Sequence, residues 1–466
     1  MAESKRLSLG TKLGFGVCDV GGNLFVTVLG FYLLNFITDN LLLGAGLAGS
    51  ALLVGKIWDA AIDPPIGTFS DRTRSRLGRR RPWMLAGAIS ILVMMTAMFT
   101  NPRIANQGLL FAWVLVVYML MVASYSIISI PYGSLTPELT KDYDERTTLN
   151  AFRMSFAVIG TLVGTQAVGP VRALFANQDH GWTAVGVVMG AVIMVTALIT
   201  FFTVREPKRA AEEAKEQQTV WRSYLAALKN RPFVLALLTY MLHMMGTNIV
   251  QAALIYYYKY IVWNADGGAA AQGEFQFALM FFIAAAFIFI FIWAAISKRI
   301  GKKLAYNLGM GLFALAVLSV FFFAAGRGAW FLRAIMAIAG VGYSTNYVMP
   351  YAILPDAVEL DYAENGVRRE GVFYGMFNFV QQLGVAFALA LNGWVLLGFG
   401  YVPNVPQDGL GRLGIRLLVG PIAAAFVIIG IVVLAFYPIS RKYYDEVIMP
   451  KVREQDAKAA RAQPSR

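Results

Sequence analysis

The stretch LAGSALLVGKIWDAAIDPP, Leu47 to Pro65, opens as an apolar run fit for a membrane interior and closes on two carboxylates, Asp59 and Asp63. On a helix their spacing of four places both acids on one face, about 6 Å apart along the axis. An ionisable group at the centre of a bilayer helix costs at least about 2.5 kcal/mol, so acids retained there point to function. Two like charges so close in a medium of low polarity need a proton or a cation, and such a pair titrates as one unit. The competing reading is that Lys56 or Arg153 neutralises them as packing ion pairs. Pro64 lacks an N–H, which leaves nearby carbonyl oxygens as further cation ligands.

Outward from this stretch the chain keeps the same character. Of its 466 residues 58% are hydrophobic and 14% charged, against about 25% charged in a soluble domain. Runs of about 20 apolar residues suffice to cross the hydrocarbon, and about twelve occur: 13–38, 44–66, 82–100, 109–136, 148–171, 182–204, 231–262, 274–297, 303–325, 329–354, 371–399 and 414–438. An all-α membrane protein with twelve transmembrane helices is expected. With both termini cytoplasmic, about 31 of the 40 Lys and Arg fall on the inner side, which sets the orientation. The net charge of +13 then reads as positive-inside bias and contact with anionic lipid, with no nucleic-acid partner. A single cysteine, Cys18, and two histidines argue against an internal disulfide, a clustered zinc site and Cys-His catalysis. The basic start MAESKRLSLGTKLGFG leads into a run too long for a signal-peptide core, so it is expected to remain as the first span. The lack of an Asn-x-Ser/Thr sequon fits a bacterial inner membrane.

The polar segment 205–230 divides the chain into an N-terminal bundle, 1–204, and a C-terminal bundle, 231–440, followed by a cytoplasmic tail, 441–466. Within it TVWRSYLAAL reads as an amphipathic helix on the membrane surface. The halves resemble each other. PYGSLTPELTKDYDE (131–145) aligns without a gap with PYAILPDAVELDYAE (350–364), and SRLGRR (75–80) echoes KRIGKK (298–303). Each pair holds the same place in its half, so a six-helix unit is read as duplicated. Two such bundles form the major facilitator architecture, in which substrate binds between the halves.

Further polar groups interrupt the spans. Asp19 and Asn23 share a face of span one. Arg153 in span five needs an anionic or carbonyl partner: Asp59, Asp63, Asp19 or the substrate itself. Ser126 and Ser129, His243, Thr247 and Gln251, Tyr347, and Gln382 are candidates for a cavity holding a polyhydroxylated ligand, against the plainer reading of interhelical hydrogen bonding. His243, Thr247 and Gln251, four apart, form one stripe. Gly160 and Gly164 form a GxxxG read as close helix packing.

The block KIWDAAIDPPIGTFSDRTRSRLGRRRPW, Lys56 to Trp83, closely resembles the signature of the glycoside-pentoside-hexuronide:cation symporters, the melibiose permease-like family. The resemblance continues through KLGFG at Lys12, IPYGSLTPE at Ile130, Arg153, PDAVELDYAE at Pro355 and GYVPN at Gly400. Related branches, the plant-type sucrose carriers and animal lysophospholipid carriers, carry versions of the two-acid block. The resemblance implies that Asp59, Asp63 and Ser126 form the cation site. Where the family has an Asn between the two acids this chain has Ile62, which removes an oxygen ligand and favours H⁺ over Na⁺. Two sugar-holding aspartates of the family match the neutral Asn23 and Ser129, a tryptophan matches Gly133, another matches Tyr347, and a lysine matches Gln382. Galactoside recognition of the family type is therefore in doubt. Arg153 matches the family's arginine but has lost two acidic neighbours. An under-compensated cation points to an anionic substrate, a hexuronide, sulfonated sugar or acidic glycoside. Asp19 as a replacement partner is the rival, and leaves a neutral glycoside.

The reading is a secondary active transporter, not an enzyme, performing cation-coupled symport of a sugar or glycoside by alternating access. It needs no cofactor beyond the coupling ion, meets membrane lipid and acts as a monomer. The basic loop with Asp71, Arg72 and Arg79, and the acids Glu138, Asp142, Asp356 and Glu359, lie at the cytoplasmic side and suit a gate of ion pairs, or set topology alone. A lysolipid or other amphiphile carrier would use the same cation acids with a more apolar cavity. A membrane enzyme would need catalytic acids on longer outer loops than these.

Overall fold

The computed structural model describes residues 7–140, 142–206, 227–263, 268–324, 328–367 and 369–462. Every regular element among them is helical, because in hydrocarbon a helix satisfies its backbone N–H and C=O groups within one segment. The first span is built from α1 (Leu9–Gly16) and α2 (Cys18–Val28), extended by π-helical turns at Leu29–Leu33 and Phe36–Asn40. Next come α3 (Ala45–Arg72), α4 (Arg81–Met98), α5 (Gln107–Leu139), α6 (Tyr143–Gln166), α7 (Val168–Ala173) and α8 (Gln178–Thr203). The second half holds α9 (Arg231–Tyr256), continued by π turns at Tyr257–Val262, then α10 (Gly268–Ile300), α11 (Lys302–Phe323), α12 (Ala329–Tyr343), α13 (Thr345–Asn365) and α14 (Glu370–Gly398). It ends with α15 (Gly409–Leu417), π turns at Leu418–Ile422, α16 (Ala423–Ala435) and the polar α17 (Met449–Ala462).

Eleven helical runs among the described residues are long and apolar enough to cross a membrane. The protein is thus an integral, multi-spanning membrane protein. The expected span at 329–354 is where the count of twelve departs from the observed eleven. It is divided between α12 and α13 at Ser344, whose hydroxyl donates to the carbonyl of Val341 at 2.6 Å. α13 then contains Pro350 and Pro355 together with Asp356, Glu359, Asp361 and Glu364, too polar a mixture to register as a span. The amphipathic helix expected within 205–230 falls mainly on 207–226, outside the described residues.

Two compact units divide the chain. One comprises Met1–Glu212, Gln251–Met280 and Leu389–Arg416; the other comprises Glu213–Val250, Phe281–Ala388 and Leu417–Arg466. The division does not follow the halves of the sequence, since parts of α9, α10 and α14 group with the first half. Lipid tails are as apolar as leucine, so small residues and interhelical hydrogen bonds hold such helices together. In the first unit Gly160 and Gly164 seat α6 on α2: a Cβ at Gly160 would lie 2.2 Å from the carbonyl oxygen of Val20, and one at Gly164 3.0 Å from Thr27. Gly55 likewise brings α3 against the ring of Tyr118 on α5. In the second unit Gly342 meets α11 at Gly309 and Phe313, and the same unit holds an apolar cluster of Phe233, Leu237, Tyr240, Leu354, Phe373 and Phe377.

A methyl group at Gly160 has nowhere to go, whereas one at Gly133 meets nothing within 4 Å. Gly160→Ala is expected to cost about 1–3 kcal/mol through overpacking, read as a lower midpoint of thermal unfolding in detergent. Gly133→Ala should leave that midpoint in place.

Candidate functional site

The two acids of α3 lie in the first unit. Asp59 is buried, at 6% exposure, and Asp63 is half-buried one turn further along. Ser126, buried on α5, points its hydroxyl between them: Oγ lies 3.1 Å from Asp59 Oδ1 and 2.8 Å from Asp63 Oδ1. α3 continues through Pro64 and Pro65, so two carbonyls one turn earlier lack their amide donors. Ile62, between the acids, offers no oxygen. Lys56, one turn before Asp59, places Nζ 2.8 Å from Asp59 Oδ2. The neutralising lysine weighed as a rival is therefore present at Asp59, and the cluster is an ammonium, two carboxyls and a hydroxyl.

A second cluster in the same unit joins α2 to α6. Arg153 Nε donates to Asp19 Oδ2 at 2.8 Å and its Nη2 to Oδ1 at 3.3 Å. Tyr132 on α5 donates to Phe15 O and stacks beneath the guanidinium at 4.8 Å, while Thr136 accepts from Nη1 at 3.2 Å. The inference of an under-compensated Arg153 is corrected here, because Asp19 replaces the lost acids. A bidentate fork with an aromatic face beneath it is a fixed guanidinium, not one awaiting a counter-ion. Asp19 and Ser129 border a cavity of about 30 Å³, room for a water. Asn23 donates to the Asp19 carbonyl one turn back at 3.0 Å.

The stripe on α9 packs between helices. His243, fully buried in the second unit, sets its ring edge-on to Tyr306 at 4.7 Å. Thr247 donates to the His243 carbonyl at 2.9 Å. Gln251, in the first unit, lies where a Cβ on Gly30 would be. Tyr347 is 52% exposed with its ring against Tyr343 at 5.2 Å, and Gln382 is half-buried.

Four of the residues assigned to gating, Asp71, Arg79, Glu138 and Asp356, form ion pairs inside their own unit, and the pattern repeats. In the first, Arg79 in the loop after α3 pairs with Glu138 at the end of α5 at 2.8 Å and with Glu206 at 3.1 Å. Burial works against the Arg79 charge, but hydrogen bonds to Glu206 and Glu138 prevail and hold the guanidinium above its usual value. Arg80 bridges Asp71 and Glu138, and Arg81 donates to the Phe201 carbonyl near the end of α8. In the second, Lys302 pairs with Asp356 at 2.7 Å, and Lys303 donates to the Ala435 carbonyl at the end of α16. Gly78 and Gly301, matched in the duplicated loops, both take positive φ, +106° and +89°, a conformation that favours glycine. Asp142 caps α6 by accepting from the Glu145 N–H at 2.8 Å, Glu359 accepts from the Tyr444 hydroxyl, and Arg72 ends α3 exposed.

The sequence reading missed Asp39. At the far end of span one, in the first unit, it accepts from Lys259 at 2.5 Å, Tyr260 at 2.6 Å, Thr38 at 2.8 Å and the Tyr401 hydroxyl. Its carbonyl accepts from Asn404 at 2.6 Å. An acid at a span end looks interfacial. The only cue was the tyrosine-rich run Tyr256 to Tyr260 beside a lone Lys259.

Against known proteins the match extends over nearly the whole chain. The family described as MFS/sugar transport protein matches residues 14–441. An uncharacterized symporter of Synechocystis is 29% identical, covering 96% of this chain and 97% of the relative. A putative sulfoquinovose importer of Escherichia coli is 26% identical over 95% of this chain and 93% of the relative. Among solved structures, a bacterial homologue of the lysosomal transporter Spinster superposes with a TM-score of 0.63 at 15% identity, covering 93% of this chain and 98% of that one. The fold is that of the major facilitator class.

Removing either member of the Asp19–Arg153 pair strands the other. Asp19→Asn and Arg153→Gln are each expected to destabilise by about 3–5 kcal/mol, and the double variant by less than their sum. Thermal unfolding of the four proteins in detergent gives the coupling directly.

Proposed function

Because the chain belongs to the MFS/sugar transport protein family, we propose that it is a proton-coupled symporter of a sugar or glycoside, of the melibiose permease-like branch, working by alternating access. The observation that carries the reading is the contact of one hydroxyl, Ser126, with two carboxylate oxygens at 3.1 and 2.8 Å. A hydroxyl donates one hydrogen. The second contact becomes a hydrogen bond only when a carboxyl supplies a proton of its own. Lys56 already balances one carboxylate, so a single added proton makes the cluster neutral. Loss of that proton leaves a net charge in the span, which costs at least about 2.5 kcal/mol. That difference is what couples proton binding to the packing of α3 on α5.

Sodium fits less well. A hard cation wants several oxygen ligands, Ile62 supplies none, and an ammonium 2.8 Å from Asp59 repels a second positive charge. In the cycle a proton enters at Asp59 and Asp63, the sugar binds near Asn23, Ser129 and the fixed guanidinium of Arg153, and the two halves rock to release both. The basic loops lie at the cytoplasmic face by the positive-inside rule. Their ion pairs hold each half rigid on that side. An inward proton gradient drives such a symporter to import its sugar across a bacterial inner membrane.

Proteoliposomes holding the purified protein test the coupling by the pH change that sugar addition elicits, with and without Na⁺. Wild type should take up protons with sugar regardless of Na⁺. Asp63→Asn should abolish the proton signal and accumulation against a gradient while retaining sugar exchange. Lys56→Gln should make uptake respond to Na⁺. Sugar uptake driven by Na⁺ alone in wild type would overturn proton coupling.

A further inference from the structure

A cavity in the first unit lies away from Asp59, at the end of span one that carries Asp39. It encloses about 710 Å³, within the range of about 300–1,000 Å³ typical of small-molecule sites. Two cations line it, Arg172 and Lys259, against one acid, Asp39. The guanidinium of Arg172 lies over the Trp182 ring at 4.2 Å and donates to Gln178 at 2.7 Å, an arrangement that fixes its plane. Asn35 also lines the cavity. It is buried at 5% exposure, and its Nδ2 donor has no acceptor among the described residues. An unmade hydrogen bond in such a place costs about 1–3 kcal/mol, which a ligand oxygen recovers.

Aromatic walls, an amide donor without an acceptor and a planar cation are the parts needed to hold a sugar that carries an acid. We propose that this cavity is a vestibular binding site for an acidic monosaccharide, its carboxylate or sulfonate held by Arg172 and Lys259 and its ring oxygens by Asn35. The proposal rests on the reading of the chain as a sugar symporter and names the substrate class. About 30 Å of helix, twenty residues at 1.5 Å each, separate Asp39 from Asp19, so this site is distinct from the Arg153 cluster. An anion arriving here competes with Asp39 for Lys259, and so loosens the Asp39 contacts at the moment substrate is present.

Equilibrium binding of D-glucuronate and D-glucose to the full chain in nanodiscs tests it, since the two sugars differ by one carboxylate. Arg172→Gln and Lys259→Gln are each expected to weaken glucuronate binding about tenfold, the loss of one charge-assisted hydrogen bond, and to leave glucose binding as in wild type. Arg172→Lys, which keeps the charge, should restore most of the affinity. A sulfonated glucose in place of glucuronate decides which acid is preferred. Absence of glucuronate binding in wild type, equal loss for both sugars, or no change in either variant would overturn the proposal. Proton uptake measured alongside separates the two ideas: Arg172-dependent binding without proton movement overturns the coupling and leaves the vestibule standing, whereas coupled uptake indifferent to Arg172 does the reverse.

Discussion

A charge inside a bilayer has to be neutralised where it stands, and that constraint organises the first unit. Asp19, Asp39 and Asp59 each meet a cation at 2.5–2.8 Å. The manner of neutralisation differs with consequence. Asp19 and Arg153 come from different helices and tie α2 to α6. Asp59 and Lys56 sit on one helix a turn apart, so their pairing ties nothing together. The link from α3 to α5 passes through Ser126 instead, and a hydroxyl between two carboxyls responds to a proton in a way that an arginine fork does not. In the proposed proton coupling, the acids that exchange a proton are those whose counter-ion does no packing.

The two basic loops share one pattern. The basic segment after the second span of each half reaches the acidic end of the fourth span and the last carbonyls of the sixth: Arg79 to Glu138 and Arg81 to Phe201 in one, Lys302 to Asp356 and Lys303 to Ala435 in the other. Gly78 and Gly301 turn the chain the same way in both. A substituent on Gly78 would meet the Glu206 carboxylate at 2.4 Å, so the turn and the ion pair constrain each other. The basic residues of these loops therefore lock the helices of their own half.

Much of this was legible in the sequence because it depends on local pattern. Apolar runs marked the spans, a spacing of four marked the acid pair, a four-residue glycine repeat marked close packing on α6, and two alignments marked the pair of similar loops. What escaped depended on distance along the chain. Asp19 and Arg153 are 134 residues apart, so a lost neighbour could be counted but its replacement only guessed. Asp39 meets partners 220 and 362 residues away, and nothing around it distinguishes it from an acid at a membrane surface. The break at Ser344 was not foreseen for another reason: it interrupts the helical run for one residue inside the expected span 329–354, and the acids of α13 begin only at Asp356, past that span's end.

The Asp39 contacts differ in kind from the basic loops. Those loops bind residues of one half of the sequence to each other, whereas Asp39 binds span one to Lys259, Tyr260, Tyr401 and Asn404 of the second half. Alternating access moves the halves as bodies and lets contacts within a half survive the cycle, while contacts between halves must break on the face that opens. Three donors from the second half, Lys259, Tyr260 and Tyr401, meet the one carboxylate and make a strong closure, and charge-assisted hydrogen bonds of this kind are worth roughly 1.5–3 kcal/mol each. A closure that strong, sitting in a cavity with a second cation, yields most readily to another anion. On the proposal of a vestibular site that anion is an acidic cargo, selected independently of Arg153, the residue on which that expectation first rested.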